Sequence, residues 1–355
     1  MEPRENNFGM IRLIGAFLVI SGHMFVLTGQ TKVPSIFFTT VNAAGLAIFF
    51  TIGGYLITLS WLRDPHFLRY ITKRIFRIFP AFTACIFFTV FVIGPLATEL
   101  SFTEYINSRE TWEYLKNCYF TIRFSLPGVF TQNPSAGVVN GSIWCLPVEF
   151  MMYLIVPVYV SIGNQMPLPA KRTFYGICTV IIMGVGAVWS AWFYETHYLF
   201  LGMDFSQVIS VVPYYFAGAL VALCKLEGIL DLQAAVAVLL VAAGLNYVPA
   251  LFSYLGRFLV IPYVVLSLAL VEKPVFASCG LFRSGVLPDI SYGMFLFSFV
   301  IQQFLIQIFV SYRISLNVWL LMGLTILCSI LFGVLTERCV ERPAGFLCKK
   351  ILQKI

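Results

Sequence analysis

Two ionisable side chains fall inside the first long apolar run of the sequence, MIRLIGAFLVISGHMF. Arg12 and His23 are eleven residues apart, which corresponds to about 1,100° of helical rotation, roughly three turns, and a rise of about 16 Å. They therefore share one face of a helix. A histidine at membrane depth is costly and is by default a functional residue, whereas an arginine at the end of a span can also reach headgroups and set orientation.

A second chemical motif is the segment NGSIWCLPVEF. Asn140 and Ser142 suit a turn or a helix N-cap, Trp144 suits a membrane interface, and Glu149 lies about 10 Å further along the following helix. Counted from opposite membrane faces, His23 and Glu149 reach similar depths. A carboxylate bonded to one ring nitrogen would fix the tautomer and raise the basicity of the other nitrogen, as a general base requires. Alternatively, Glu149 only satisfies a polar contact within the bundle.

A third motif is the basic connection RDPHFLRYITKRIFRIFPAF. Arg74 and Arg77 are three residues apart and project from one helix face, with Lys73 beside them, and Pro80 is expected to start the next span. Such a cluster binds anionic lipid headgroups or the phosphates of a nucleotide-like donor. Composition alone favours headgroups. His66 in this connection is interpreted as a solvated residue.

The elements that carry these residues are membrane helices. Of the 355 residues, 59% are hydrophobic and 11% are charged, far from the soluble average of about a quarter charged. Repeated apolar runs approach or exceed the roughly 20 residues needed to cross a bilayer. We predict an all-α, polytopic membrane bundle of about ten spans, at 9–29, 38–61, 78–98, 143–162, 173–193, 207–224, 230–247, 251–271, 288–310 and 316–336.

The basic residues predict the orientation of this bundle. The formal charge of +7 suggests orientation by the positive-inside rule and no nucleic-acid partner. Both termini are expected in the cytoplasm, in a single domain over residues 1–355 without a cleaved leader or an appended soluble domain. The long loop at about 99–142 is expected to form an extracytoplasmic cap. Few basic residues fall on the outer side: Lys32, Arg109, Lys116, Arg123, Arg257 and Arg313.

Metal binding finds little support, because the three histidines and nine cysteines are dispersed without ligand spacing. Cys145 lies near the predicted outer face, but nothing adjacent marks its thiol as activated. His197 sits in an acidic outer loop, where a solvated residue is the simpler interpretation. No metal is therefore expected.

The motifs together resemble those of the acyltransferase-3 family of multispan membrane acyltransferases. RLIGAFLVISGH resembles its first-span Arg-x10-His, and KRIFRIFPAF its basic Arg-x-x-Arg before an aromatic-proline step. NGSIWCLPVEF is close to N-G-S-[LI]-W-[ST]-L-x-x-E, and ERCVERPAGF resembles the closing x-x-E-[RK]-P. IFFTIGGYLI resembles FF-x-x-S-G-[FY]-L-I with Gly53 in place of serine, and ISYGMFLFSFVI resembles S-Y-[SG]-[LIM]-Y-L-x-H with Ser298 in place of histidine.

This resemblance implies transfer of an acyl group, usually acetyl, from cytoplasmic acetyl-CoA to a sugar hydroxyl at the outer face of a bacterial inner membrane. The acceptor would be a surface polysaccharide or a lipid-linked oligosaccharide such as an O-antigen unit. Arg12, Arg74 and Arg77 would hold coenzyme A phosphates. His23, oriented by Glu149 as its catalytic partner, would deprotonate the acceptor hydroxyl or carry the acyl group transiently. Asn140, Ser142 and Trp144 would border the acceptor or brace the site.

Two other classes of function remain open. The first is a transporter or flippase for a lipid-linked or anionic solute, with His23 and Glu149 as a proton relay and the arginines as a headgroup site. The second is a non-catalytic membrane partner in polysaccharide assembly, which the grouping of polar motifs disfavours. The absence of a convincing internal repeat disfavours transporter folds built from inverted halves.

Overall fold

The computed structural model describes residues 7–36, 39–200, 202–242, 248–271 and 289–355. These residues are predominantly helical, which confirms the all-α class. The strands are two short antiparallel pairs, β1 (Ser35–Ile36) with β2 (Thr39–Thr40) and β3 (Leu199–Phe200) with β4 (Met203–Asp204). The helices are α1 (Phe8–Leu27), α2 (Val41–Arg63), α3 (Phe67–Phe88), α4 (Gly94–Ala97), α5 (Phe102–Asn107), α6 (Arg109–Tyr114), α7 (Cys145–Asn164), α8 (Leu168–Trp192), α9 (Phe205–Cys224), α10 (Leu232–Ala242), α11 (Ala250–Leu270), α12 (Ser291–Ser311), α13 (Val318–Thr336) and α14 (Arg342–Leu352).

Nine helical segments of the described residues are long and apolar enough to cross a membrane. Two are composite. Phe67–Ala97 joins α3 to α4 through a π-helical turn, and Val318–Leu352 joins α13 to α14 in the same way. The predicted span at 230–247 is described only as the eleven-residue α10, and residues 243–247 lie outside the described part of the chain.

The basic connection after α2 is helical from Phe67 onward. The Nδ1 atom of His66 accepts a hydrogen bond from the backbone N–H of Arg69 at 3.3 Å, which caps the first turn. Arg69 also forms an ion pair with Asp64 at 2.6 Å. Pro80 therefore lies inside α3 and does not start a span, and the basic side chains belong to the same helix as the apolar segment that follows.

The described residues divide into two compact units. The first comprises Met1–Gly15, Ser35–Ile71 and Val148–Leu287, and the second comprises Ala16–Pro34, Thr72–Pro147 and Pro288–Ile355. In the first unit α2 and α9 approach closely: a Cβ atom on Gly54 would lie 1.9 Å from the carbonyl oxygen of Tyr215, and one on Gly218 would lie 2.1 Å from that of Thr51. In the second unit α12 and α13 meet at Gly293 and Gly333 in the same manner. Small residues at such crossings let helix backbones pack tightly in a membrane.

The segment between α4 and α7 is structured. It also packs along the side of the helical segment Phe67–Ala97. The hydroxyl of Tyr105 donates to the carbonyl of Val90 at 2.8 Å, and the ring of Phe120 lies 5.0 Å from that of Phe79. The two contacts are eleven residues apart on the continuous helical segment Phe67–Ala97, so they extend over about 16 Å of it. It then doubles back, because Thr98 donates to the carbonyl of Pro127 at 2.8 Å.

An exposed carboxylate also braces this segment near α4. Glu99 accepts hydrogen bonds from Thr131 at 2.5 Å and from Gln132 at 3.0 Å. These bonds lower the pKa of Glu99 below its usual value. A carboxyl with a lowered pKa in the folded state contributes stability at neutral pH, and that contribution is lost as the pH falls through the lowered pKa.

Candidate active site

His23 is a partly buried residue near the end of α1. Its Nδ1 atom lies 3.4 Å from the Oγ atom of Ser142, a separation at which a hydrogen bond forms in either direction, depending on the tautomer. The ring of Phe299 meets the imidazole edge to face at 5.1 Å. All three residues belong to the second unit, so the structure brings the predicted base together with the predicted turn.

The turn that carries Ser142 is fixed by Asn140, which is fully buried. The side-chain amide of Asn140 donates to the carbonyl of Leu296 at 3.0 Å, and its Oδ1 atom accepts from the backbone N–H of Ser142 at 3.1 Å. The residue between them must be small, since a Cβ atom on Gly141 would lie 2.7 Å from the ring of Phe299. Asn140 therefore sets the position of Ser142 relative to α12.

Two neighbouring glutamines of α12 complete this arrangement. Gln302 donates to the carbonyl of Ile20, one turn before His23, at 2.7 Å. Gln303 donates to the carbonyl of Val138 at 2.6 Å and accepts from the side chain of Asn133 at 2.8 Å. Neither glutamine was predicted from the sequence. Two adjacent amides inside an apolar span do indicate polar contacts within the bundle, so the sequence contained a signal for them.

Ser298 and Trp144 are both buried in the second unit. The hydroxyl of Ser298 donates to the carbonyl of Phe295 in its own helix at 3.1 Å. Trp144 is 8% exposed, so it does not stand in an exposed belt as its residue type suggested.

Glu149 and Arg12 belong to the first unit. Glu149 is partly buried on α7, and its carboxylate accepts a short hydrogen bond from the hydroxyl of Tyr153 one turn later. Arg12 is partly buried on α1, the same helix that carries His23. The contact of Glu149 with His23 stays a prediction.

The basic cluster on α3 is balanced by acidic residues from elsewhere in the second unit. Arg77 lies 2.6 Å from a carboxylate oxygen of Glu341 and 3.3 Å from one of Asp289, and its guanidinium stands 5.2 Å from the ring centre of Tyr292. Tyr292 also donates to the carbonyl of Ile78 at 2.9 Å. The basic motif, the Ser-Tyr-Gly motif and the closing Glu-Arg-Pro motif thus meet at one place. An anionic ligand at Arg77 would compete with these carboxylates.

Arg74 is partly buried one turn before Arg77. Within the described ranges, no three His, Cys, Asp or Glu side chains are grouped so that they could hold a metal ion.

A sequence profile for the acyltransferase-3 family, described as an acyltransferase domain, matches residues 6–338. The chain belongs to the acyltransferase-3 family. The apolar helices and this membership make it a multi-pass membrane protein of that family. The motifs on which the resemblance rested lie within the matched region except for the closing one, because the match ends two residues into ERCVERPAGF, before its Glu-Arg-Pro.

Parts of the chain are also similar to two curated proteins. The chain is 33% identical over 168 residues to the O-acetyl transferase of Shigella phage Sf6, which is 44% of this chain and 46% of the relative. It is 30% identical over 175 residues to nodulation protein 10 of Rhizobium leguminosarum bv. viciae, which is 45% of this chain and 46% of the relative. The chain thus matches about half the length of each. No solved structure matches it significantly.

Proposed function

We propose that the protein is a membrane O-acyltransferase that moves an acetyl or other acyl group from cytoplasmic acyl-CoA to a hydroxyl of a surface polysaccharide or lipid-linked sugar, such as O-antigen, at the outer face. Membership of the acyltransferase-3 family supports acyl transfer, and the name of the phage relative supports an oxygen acceptor. The observation that carries the proposal is the pairing of His23 with Ser142 at 3.4 Å.

This pairing suits a general base. When Nδ1–H of His23 donates to Oγ of Ser142, the other ring nitrogen, Nε2, is unprotonated and can accept a proton. In the proposed reaction Nε2 takes the proton of the acceptor hydroxyl as its oxygen bonds to the thioester carbonyl carbon. The carbon–sulfur bond then breaks, and coenzyme A leaves with the electron pair and is protonated. A transient acyl group on His23 is the alternative route.

The other predicted site residues are proposed to assist this reaction. Glu149 is proposed to stabilise the imidazolium that forms on His23 through its negative charge, without a bond to the ring, because Ser142 and the acceptor hydroxyl take the two ring nitrogens. Asn140 holds Ser142 through the bonds described above, and Trp144 is proposed to border the acceptor. Ser142 is proposed to hold the His23 ring through its hydroxyl and also to border the acceptor.

Acetyl-CoA is the proposed donor. Arg12, Arg74 and Arg77 are proposed to hold its phosphates, because guanidinium groups bind phosphate through paired N–H donors. The proposed location is the bacterial inner membrane with both termini in the cytoplasm, which places these arginines on the side where acyl-CoA is made. Arg77 reaches a phosphate only by exchanging its bonds to Asp289 and Glu341.

The competing function is a proton-coupled transporter or flippase for a lipid-linked or anionic solute. It would use His23 as a proton relay and would transfer no acyl group. Membership of the acyltransferase-3 family favours the enzyme.

The deciding experiment supplies labelled acetyl-CoA to membranes that contain the protein and measures label in surface polysaccharide. Loss of a general base lowers rates by about 10² to 10⁴-fold, so we expect that loss for His23→Ala. Ser142→Ala removes one neutral hydrogen bond and should lower the rate by about 2 to 10-fold. Thr121→Ala, in the same segment and exposed, is the matched control and should retain the wild-type rate.

Two results would contradict the proposal. Full transfer by His23→Ala would remove histidine from the chemistry. Absence of transfer with every acyl-CoA tried, together with solute flux across vesicles, would favour the transporter.

A further inference from the structure

Arg257 is a charged residue inside an apolar helix of the first unit. It follows the start of α11 at Ala250 by seven residues, or about 10 Å of helix. Arginines within membrane spans are costly, and they almost always face the protein interior or a watery cavity and pair with other groups. The proposed acyl transfer makes no use of Arg257.

The guanidinium of Arg257 has few partners. One terminal nitrogen donates to the hydroxyl of Ser253 at 3.2 Å, and the group stands 4.5 Å from the ring centre of Tyr254. The Nε atom is buried and has no hydrogen-bond partner. Throughout the described part of the chain, no carboxylate forms an ion pair with it. The positive charge of Arg257 and its Nε–H group are therefore available to bind a ligand.

The neighbouring helix supplies further hydrogen-bond donors. Tyr214 of α9 is buried in the first unit. Its ring packs edge to face on Phe258 at 5.0 Å. Phenol hydroxyls and a guanidinium are donors that suit an oxyanion, and the planar guanidinium matches phosphate in geometry.

The loop between α8 and α9 contains further polar residues with partners of their own. Burial raises the pKa of Tyr194, and Tyr254 and Asp204 raise it further. Asp204 accepts from the backbone N–H of Ser206 at 2.8 Å and lies 2.8 Å from Nδ1 of the exposed His197. Asp204 is thus engaged at the surface by Ser206 and His197.

We propose that Arg257, with Tyr214 and Tyr254, forms a binding site for a phosphate group. The phosphate belongs either to an anionic phospholipid or to a soluble or sugar-linked diphosphate. This site is separate from the residues assigned to acyl transfer, so it stands whether or not the protein transfers acyl groups.

The test measures binding to the full chain without acetyl-CoA. Protein in nanodiscs of phosphatidylcholine is titrated with phosphatidylglycerol, followed by native mass spectrometry, and separately with inorganic diphosphate, followed by thermal stability. A hydrogen-bonded charge is worth about a 10 to 100-fold change in affinity, so we expect Arg257→Gln to weaken binding of one probe by that factor. Arg313→Gln, an exposed arginine outside this place, is the control and should bind as wild type does.

The two probes identify the source of the phosphate. Arg257-dependent binding of phosphatidylglycerol indicates a lipid headgroup, and Arg257-dependent stabilisation by diphosphate indicates a soluble or sugar-linked group. If Arg257→Gln does not fold, Arg257→Lys and Tyr214→Phe replace it, and each should weaken the same probe several-fold. Binding of neither probe by the wild type, or equal binding by wild type and variants, would overturn the proposal.

Discussion

His23 is held between two elements that are distant in sequence from α1. Ser142 approaches the Nδ1 side of the ring and Phe299 approaches an edge, so the imidazole is constrained without an ion pair to either residue. A neutral hydrogen-bond partner leaves the ring uncharged, as a base that must accept a proton requires. Arg77 is in the opposite situation, because two carboxylates already neutralise it.

Because Arg77 is engaged by two carboxylates, donor binding is better tested at Arg74. Arg74→Gln should raise the KM for acetyl-CoA by about 10 to 100-fold with a smaller change in kcat, since one charge-assisted phosphate contact is lost from bound donor and transition state alike. The measurement is initial transfer rate against acetyl-CoA concentration in membranes.

The control for Arg74 is Arg338→Gln, an exposed arginine elsewhere in the same unit. Its KM should equal that of the wild type. Arg77→Ala is less informative, because it leaves Asp289 and Glu341 without their cation and should lower the yield of folded protein. An unchanged KM for Arg74→Gln would remove Arg74 from the donor site.

Helix α12 holds both parts of the candidate site in place, a role that no sequence motif predicted. Its Leu296 carbonyl and Gln303 side chain hold the segment that leads to Ser142, while Gln302 bonds to the turn before His23. A single helix therefore fixes the relative positions of the base and its partner. The other face of α12 packs on α13 at Gly293 and Gly333.

The packing of α2 on α9 can be tested at two adjacent glycines. Gly54→Ala should lower the free energy of unfolding by about 1 to 3 kcal/mol, because the added methyl group would overlap the backbone of Tyr215. Gly53→Ala should have no destabilising effect, since its Cβ would meet the nearest atom at 3.7 Å. Thermal unfolding of the two variants in the same detergent measures the difference.

Equal stability of the two glycine variants would contradict the close crossing of α2 and α9. The comparison is well matched because both substitutions add the same methyl group to the same helix. Replacing glycine by alanine also improves helix propensity by about 1 kcal/mol at both positions.

The charge distribution over the whole chain sets its expected orientation. The basic cluster of α3 and the basic residues of α14, including Lys349 and Lys350, are expected on the cytoplasmic side. The long segment between α4 and α7 is expected to open to the opposite side, even though part of it follows α3. Donor and acceptor would then approach from different sides of the membrane.

Reporter fusions test this orientation. Green fluorescent protein joined after Ile355 should fluoresce, because it folds in the cytoplasm, and alkaline phosphatase joined at the same point should be inactive. Inserted after exposed Ala136, the phosphatase should be active and the fluorescent protein dark. The reverse pattern at either position would overturn the predicted orientation.

The sequence alone was sufficient for the helical class, most spans and the family. These properties depend on local patterns: the length of an apolar run, the 3.6-residue period and the order of short motifs. Errors occurred where local rules compete. Pro80 was expected to begin a span but lies within α3, because the cap at His66 starts that helix earlier.

What the sequence determined by itself was which residues are unusual, namely His23, Glu149, the arginines and the Asn-Gly-Ser turn. Only the tertiary structure decided their partners. Ser142 and His23 are 119 residues apart, and Arg77 and Glu341 are 264 apart. Helical periodicity places a side chain on a face, but the residue that meets that face depends on how separate helices pack, and the packing depends on glycine contacts and buried amides spread along the chain.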